Sequence, residues 1–248
     1  MPPSKAKPNA RRRPVVNIAP LATSIGVRFV LARNRLGKLQ TCAEDMEFWA
    51  RKRARAIEKQ AEGQLHFTDP YDERVYAESL HEDLDHFRTI VPDAIRSSLF
   101  LLCAAAFEHG MLGTAELLMR RVIKDEDKLA SLDRMSDTGI FRAAALYSAV
   151  AKVRIRSSRN WSDARALAAI RNLILHNNGT LTPGAPKARE INSLIRRWQP
   201  AVVKGEYGRL TFSDSFVERA IGVYESFLSD TRREITRWIA ANPMVDPE

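Results

Sequence analysis

A chain of 248 residues, 45% hydrophobic and 28% charged, has an ordinary globular composition with enough apolar residues for one large or two small cores. Two cysteines, Cys42 and Cys103, are too few for an extracellular disulfide framework and point to a reducing cytoplasm, while the lack of a secretory apolar segment or an apolar run near 18 residues excludes export and membrane spanning from the expectations. The net charge of +9 is confined to residues 1–40, which hold nine basic residues and no acid; the rest of the chain balances 30 basic against 30 acidic residues.

The chain opens on Met1-Pro-Pro-Ser-Lys-Ala-Lys-Pro-Asn-Ala-Arg-Arg-Arg-Pro14, which cannot bury enough apolar surface to order itself and would attract phosphates by counterion release. Residues 1–20 therefore read as a flexible basic arm, with Arg11, Arg12 and Arg13 as candidate nucleic-acid contacts. A solubilising tail without a partner is the plainer alternative. The early prolines, Pro2, Pro3, Pro8 and Pro14, argue against a mitochondrial presequence helix.

Residues 21–91 read as an N-terminal helical extension. A charged helix is expected from Gln40 to about Gly63, with Met46, Phe48, Trp49 and Ile57 as its apolar residues, and Asp69-Pro70 breaks it from a second charged helix over Tyr71 to Ile90. Pro92 suits a first helical turn, and Asp93 adds favourable charge there. From Ile95 to Leu118 apolar residues lie on every side, as in the middle helix of a bundle, with Gly110 and Gly113 expected to bend or interrupt it. Ser136-Asp137 is placed to cap a helix running through Phe141, Ala145, Leu146, Ala149 and Val153. Ser162-Asp163 is placed to cap the next, which stops at Asn178-Gly179. Val202-Val203, Gly205, Tyr207-Gly208 and Leu210-Thr-Phe212 suggest a small β-hairpin. Ser215 and Glu218 have capping-box spacing ahead of a last helix with Phe216, Ala220, Val223, Phe227, Ile235 and Ile239 on one stripe. The fold class is all-α, a helical bundle with a small β-hairpin appendage.

Two segments could carry chemistry. Glu108 lies i+7, i+4 and i+3 from Leu101, Ala104 and Ala105, which places a carboxylate on an apolar surface where it needs a cation. Arg171 is the candidate, because Ala164, Leu167, Ala168, Ile174 and Leu175 form an apolar helical face with Arg171 near its centre. His176 is rotated about 140° from Arg171 on an undistorted helix and lies in line with Asn172. Bringing the two together requires the guanidinium to curl round, the last turn to unwind at Asn177-Asn178-Gly179, or a second copy of the chain to complete the site. A helix C-terminus favours protonated histidine, so His176 is expected to exchange protons near neutrality. Transesterification of RNA needs a base for the 2′-hydroxyl proton, an acid for the departing 5′-oxygen and a cation for charge developing at phosphorus. His176 could supply either of the first two, and Arg171 the third. The spacing alone is unspecific: 29 arginines and five histidines should give an Arg-x4-His match about 0.6 times by chance, and Arg74 to His81 is a second loose match.

The run Arg96-Ser-Ser-Leu-Phe-Leu-Leu-Cys-Ala-Ala-Ala-Phe-Glu108 together with Trp161 and Ile170-Arg-Asn-Leu-Ile-Leu-His-Asn-Asn-Gly179 resembles the HEPN superfamily over roughly residues 92–240. The resemblance implies a HEPN-like helical core over residues 92–248, with Arg171, Asn172 and His176 in the motif positions and Glu108 as the acid of the earlier core helix. It also implies a metal-independent endoribonuclease that needs no cofactor, acts as a homodimer on RNA in a toxin, phage-defence or stress setting, and is held in check by an antitoxin or regulatory protein. Other members of the superfamily bind nucleotides or partners without cutting. A non-catalytic module, with Arg171 and Glu108 as a fold-locking pair, is therefore the first alternative, and nucleic-acid binding through the arm the second. His81 and His86 are five residues apart rather than four, which does not suit a one-helix zinc site, so that acidic segment reads as a solvated face. His66 and His109 have no recognisable partner set, although His109 could line a cleft.

Overall fold

The computed structural model describes residues 19–62 and 69–242, so Arg11, Arg12, Arg13 and His66 lie outside the described residues. The first helix, α1, spans Ala19–Glu62 and begins far upstream of the expected Gln40. Ile25, Phe29, Ala32 and Leu36 recur at spacings of four, three and four, and all are buried. Farther along, Glu47, Ala50, Ala54 and Ile57 continue the buried stripe, and Met46, Phe48 and Trp49 are exposed, contrary to the expected apolar face. Glu47 sets this phase because Arg96 meets it with two nitrogens, Nη2 donating to Oε2 at 2.8 Å, while Nη1 donates to the carbonyl of Phe212 at 2.7 Å.

Helix α2, Pro70–Asp85, starts where the Asp69 side chain accepts from the Tyr71 amide at 2.8 Å. It has no buried residue. A single π turn over His86–Ile90 joins it to α3, Val91–Val122. Pro92 offers no amide hydrogen and its ring crowds the preceding turn; the wide turn, in which the Val91 amide reaches back to the His86 carbonyl, accommodates both and lets the helix run on.

Helix α3 packs against α1, α5 and α8, and buries Phe100, Cys103, Ala104, Phe107 and Met111. Leu102, Ala105 and His109 face solvent, so its all-round apolar character does not reflect all-round burial. By length and composition alone the helical run Pro70–Val122 could cross a membrane, contrary to the expectation that the chain holds no apolar run of that length. Gly110 and Gly113 do not interrupt α3. A Cβ on Gly110 would come within 2.6 Å of the Ala32 Cβ, so the glycine lets α1 approach closely.

Helix α4, Glu126–Asp133, is capped by Asp125, whose side chain accepts from the Lys128 amide at 3.0 Å. Helix α5, Gly139–Ala151, starts after Thr138 rather than at Ser136-Asp137, and left-handed Lys152 ends it before Val153. Helix α6, Trp161–Asn177, starts after Asn160, not at Ser162-Asp163. Asp163 instead pairs with Arg197 and accepts from the Trp198 indole, which ties α6 to α7, Ala188–Trp198. Strands β1, Val202–Lys204, and β2, Leu210–Phe212, form the antiparallel hairpin with Val202 opposite Phe212. The last helix, α8, Ser215–Ala241, is entered from Asp214 with no capping box between Ser215 and Glu218. Its stripe from Phe216 through Ile239 is buried apart from half-buried Val223. The molecule is thus mostly helical, with a two-stranded sheet as its β structure among the described residues.

Candidate functional site

The end of α6 is fixed from two sides. Asn178 and Gly179 are both left-handed, with φ of 47° and 74°, and the Gly179 amide reaches back to the Leu173 carbonyl at 3.1 Å, satisfying the carbonyl end of the helix. The hairpin then holds the exit, because the Leu210 amide donates to the Gly179 carbonyl at 3.0 Å and the Leu181 amide to the Gly208 carbonyl at 2.9 Å. The last turn of α6 therefore stays wound, and His176 sits in it, exposed.

Arg171 turns the other way, to α3. Its Nη2 lies 3.5 Å from Glu108 Oε2, and Nη1 donates to Asn172 Oδ1 at 2.8 Å. The guanidinium side chain is 31% exposed and the carboxylate side chain 17%, so the pair is shielded without being sealed. Leu175 is 52% exposed, and Ile170 and Leu173 take the inner positions instead, so the buried face of α6 is rotated from the one the apolar spacing suggests. The rotation follows from the small residues Ala166 and Ala169, which fit the packed side as well as Ala164 and Ala168 do.

Glu108 has surroundings the sequence reading did not identify. Gly139, the first residue of α5 at φ 54°, lies so close that a Cβ there would stand 2.9 Å from Glu108 Oε1 and 3.1 Å from Oε2. The carboxylate thus rests on the positive end of α5, where a negative charge is favoured. Burial raises the Glu108 carboxyl above its ordinary value, with Arg171 acting in opposition. Tyr224 of α8 is buried, stacked on Phe107 with ring centroids 4.3 Å apart. Its hydroxyl is pushed well up, first by burial, then by the charges of Glu108 and Cys103, with Arg171 acting against them. Cys103, also buried, is pushed up to about 12 by burial and then by Cys42, so its thiol stays protonated at neutral pH. The Thr138-Gly139 pair offered a local signal, a glycine at a helix start, but nothing in its spacing linked it to Glu108.

The elements α3, α5, α6 and α8 therefore bring Arg171, Asn172, Glu108 and Tyr224 into one neighbourhood and leave His176 on the adjacent solvent face. Such a set can present a partly exposed cation, oriented by two oxygen acceptors, and an accessible imidazole one helical turn farther on. No group of three or more His, Cys, Asp or Glu side chains gathers in metal-ligating fashion among the described residues. His81 and His86 are exposed on α2 and the turn after it, and His109 lines the groove between α1 and α3 beside Arg28 and Arg35. Compared with family models, curated proteins and solved structures, the chain matches none of them.

Proposed function

We propose that the chain is a HEPN-type, metal-independent endoribonuclease that works as a homodimer, with Arg171 and His176 as its central groups. The observation that carries this reading is the placement of Arg171 against Glu108 and Asn172 while His176 stands free on the last turn of the same helix. In this mechanism an imidazole takes the proton from a ribose 2′-hydroxyl, the 2′-oxygen attacks the adjacent phosphorus, and the bond to the 5′-oxygen breaks. A protonated imidazole delivers a proton to that leaving oxygen, and the products are a 2′,3′-cyclic phosphate and a free 5′-hydroxyl. Arg171 stabilises the extra charge on the phosphoryl oxygens, and Glu108 and Asn172 hold its plane. Two imidazoles, one base and one acid, are supplied when two copies meet across the exposed Leu175 and His176 turn. Incubating RNA with the protein in EDTA tests the chemistry: cleavage persists with cyclic phosphate ends, and His176→Ala lowers its rate about 10²- to 10⁴-fold. Chelation-sensitive cleavage, or full activity of His176→Ala, contradicts it.

The engagement of Arg171 by Glu108 favours one second reading, a non-catalytic module in which the pair locks α6 to α3. That reading expects no RNA cleavage at any protein concentration, and Arg171→Ala then lowers stability without a specific loss.

A further inference from the structure

The connection between α5 and α6 reads Lys152-Val-Arg-Ile-Arg-Ser-Ser-Arg159 and carries four cations with no acid. Left-handed Lys152 turns the chain off α5, and burial then alternates residue by residue: Val153 and Ile155 are buried, while Lys152, Arg154, Arg156 and Arg159 are exposed. The apolar pair anchors the segment, so its cations are displayed outward on a fixed backbone rather than on a loose loop. Ser157 stiffens it further, its hydroxyl donating to the Arg154 carbonyl at 2.7 Å. None of the four cations has an ion-pair partner among the described residues, Arg156 lying instead over the Trp161 ring at 5.9 Å, whereas Arg233 and Arg237 of α8 beside the segment pair with Asp230 and Glu234.

Two grooves flank the segment, of about 700 Å³ toward α5 and about 240 Å³ toward α8, and Arg154 lines both. The smaller one contains Thr231, which is 2% exposed and whose hydroxyl has no hydrogen-bond partner. A threonine in mid-helix normally satisfies itself on the carbonyl four residues back, and a buried hydroxyl left unpaired is costly, so this one is available to a ligand oxygen. Its carboxylates, Asp230 and Glu234, are already neutralised by Arg233 and Arg237, which leaves the uncompensated charge of the groove positive.

We propose that the strip Lys152, Arg154, Arg156 and Arg159, with the Thr231 groove beside it, docks the phosphodiester backbone of single-stranded RNA. Exposed, unpaired cations on a pinned segment bind phosphates by releasing counterions, and the alternation provides no pattern for reading bases, so the site holds a strand without choosing its sequence. Its place in the fold is distinct from the Arg171 neighbourhood: it lies at the start of α6, about 22 Å along the helix axis from His176 at 1.5 Å per residue. It extends the ribonuclease reading by a substrate-holding site yet does not rest on cleavage, because binding is read without turnover.

The test is fluorescence anisotropy of a labelled 20-nucleotide oligouridylate with the full chain in the His176→Ala background, across a salt series. Replacing Lys152, Arg154, Arg156 and Arg159 together with alanine is expected to weaken binding at least about tenfold and to reduce the slope of log affinity against log salt by about 3, at roughly 0.7 per lost contact. The melting temperature stays near that of the parent, since all four side chains are exposed; Arg154→Glu alone serves should the fourfold variant fold poorly. Thr231→Val is expected to weaken binding severalfold with melting unchanged or raised, a combination that a purely structural threonine would not give. Unchanged affinity and slope in the strip variants overturn the proposal, as does equal competition by inorganic phosphate or a mononucleotide, which would make this a small-anion site. Replacing Arg11, Arg12 and Arg13 gives the arm's separate contribution, and a salt slope lost wholly to that change also overturns the strip. Absence of RNA cleavage by the parent chain, with strip binding intact, would sink the nuclease reading alone.

Discussion

At the scale of single residues, Glu108 is held against its own preference. Burial raises its carboxyl and Arg171 lowers it, with burial the larger effect. The folded chain therefore holds the proton more tightly than the unfolded chain. The carboxyl's contribution to stability is fully present below the ordinary value of 4.5 and is lost as pH rises through the raised folded value. Glu108→Gln keeps the shape and removes the charge. Thermal melts from pH 4 to 8 are expected to show the variant melting higher than the parent at pH 7 and a flatter profile above 4.5; a lower melting point at pH 7 would mean that the Arg171 pair outweighs burial. Under the proposed chemistry the same change lowers RNA cleavage, because Arg171 loses the charge that orients it, a trade of activity for stability. The Glu108–Arg171 pair was legible in the sequence because an acid on an apolar helix demands a cation. The left-handed glycine beneath it and Tyr224 beside it were not, since both come from elements whose approach only the packing determines. The last turn of α6 stays wound, so positions 171 and 176 keep the 140° between i and i+5 on the helix.

At the scale of elements, the contact of α1 with α3 determines how the bundle closes. It depends on Gly110, where an added Cβ would press on Ala32 at 2.6 Å inside two backbones that cannot both withdraw. Gly110→Ala gains about 1 kcal/mol of helix propensity and meets about 1–3 kcal/mol of overpacking, so a net loss of up to about 2 kcal/mol is expected. Urea unfolding should show a lower midpoint with an unchanged slope; a raised midpoint would show that α1 can slide away. This contact was hidden in the sequence, where an acid-free, arginine-bearing start overshadowed the Ile25, Phe29, Ala32 and Leu36 spacing. Helix starts were displaced for a related reason. Ser136, Ser162 and Ser215 have capping chemistry, yet Thr138, Asn160 and Asp214 occupy the caps, because buried side chains within each helix fix its phase before a cap can. The hairpin and the Asn178-Gly179 stop were legible because left-handed turns demand particular residues at particular positions.

At the scale of the whole molecule, the hairpin ties the exit of α6 to Arg96, and Arg96 ties it to Glu47 of α1, so one connected set of contacts reaches from the first helix to the His176 turn. A part-buried two-pronged pair of this kind is costly to break by removing one partner, because the other charge is left shielded from water without its counter-charge. Such a frame holds His176 in the wound last turn of α6, exposed beside the exposed Leu175. The composite cleft proposed above takes one imidazole from each of two copies, and subunit mixing tests it. After exchange, equal amounts of parent and His176→Ala subunits form homodimers and mixed dimers in a ratio of about 1:2:1. If every cleft needs an imidazole from each copy, mixed dimers are inactive and cleavage falls to about a quarter of that given by the same total of parent protein. If each chain cleaves alone, activity falls only to about a half, and the two-copy site is refuted.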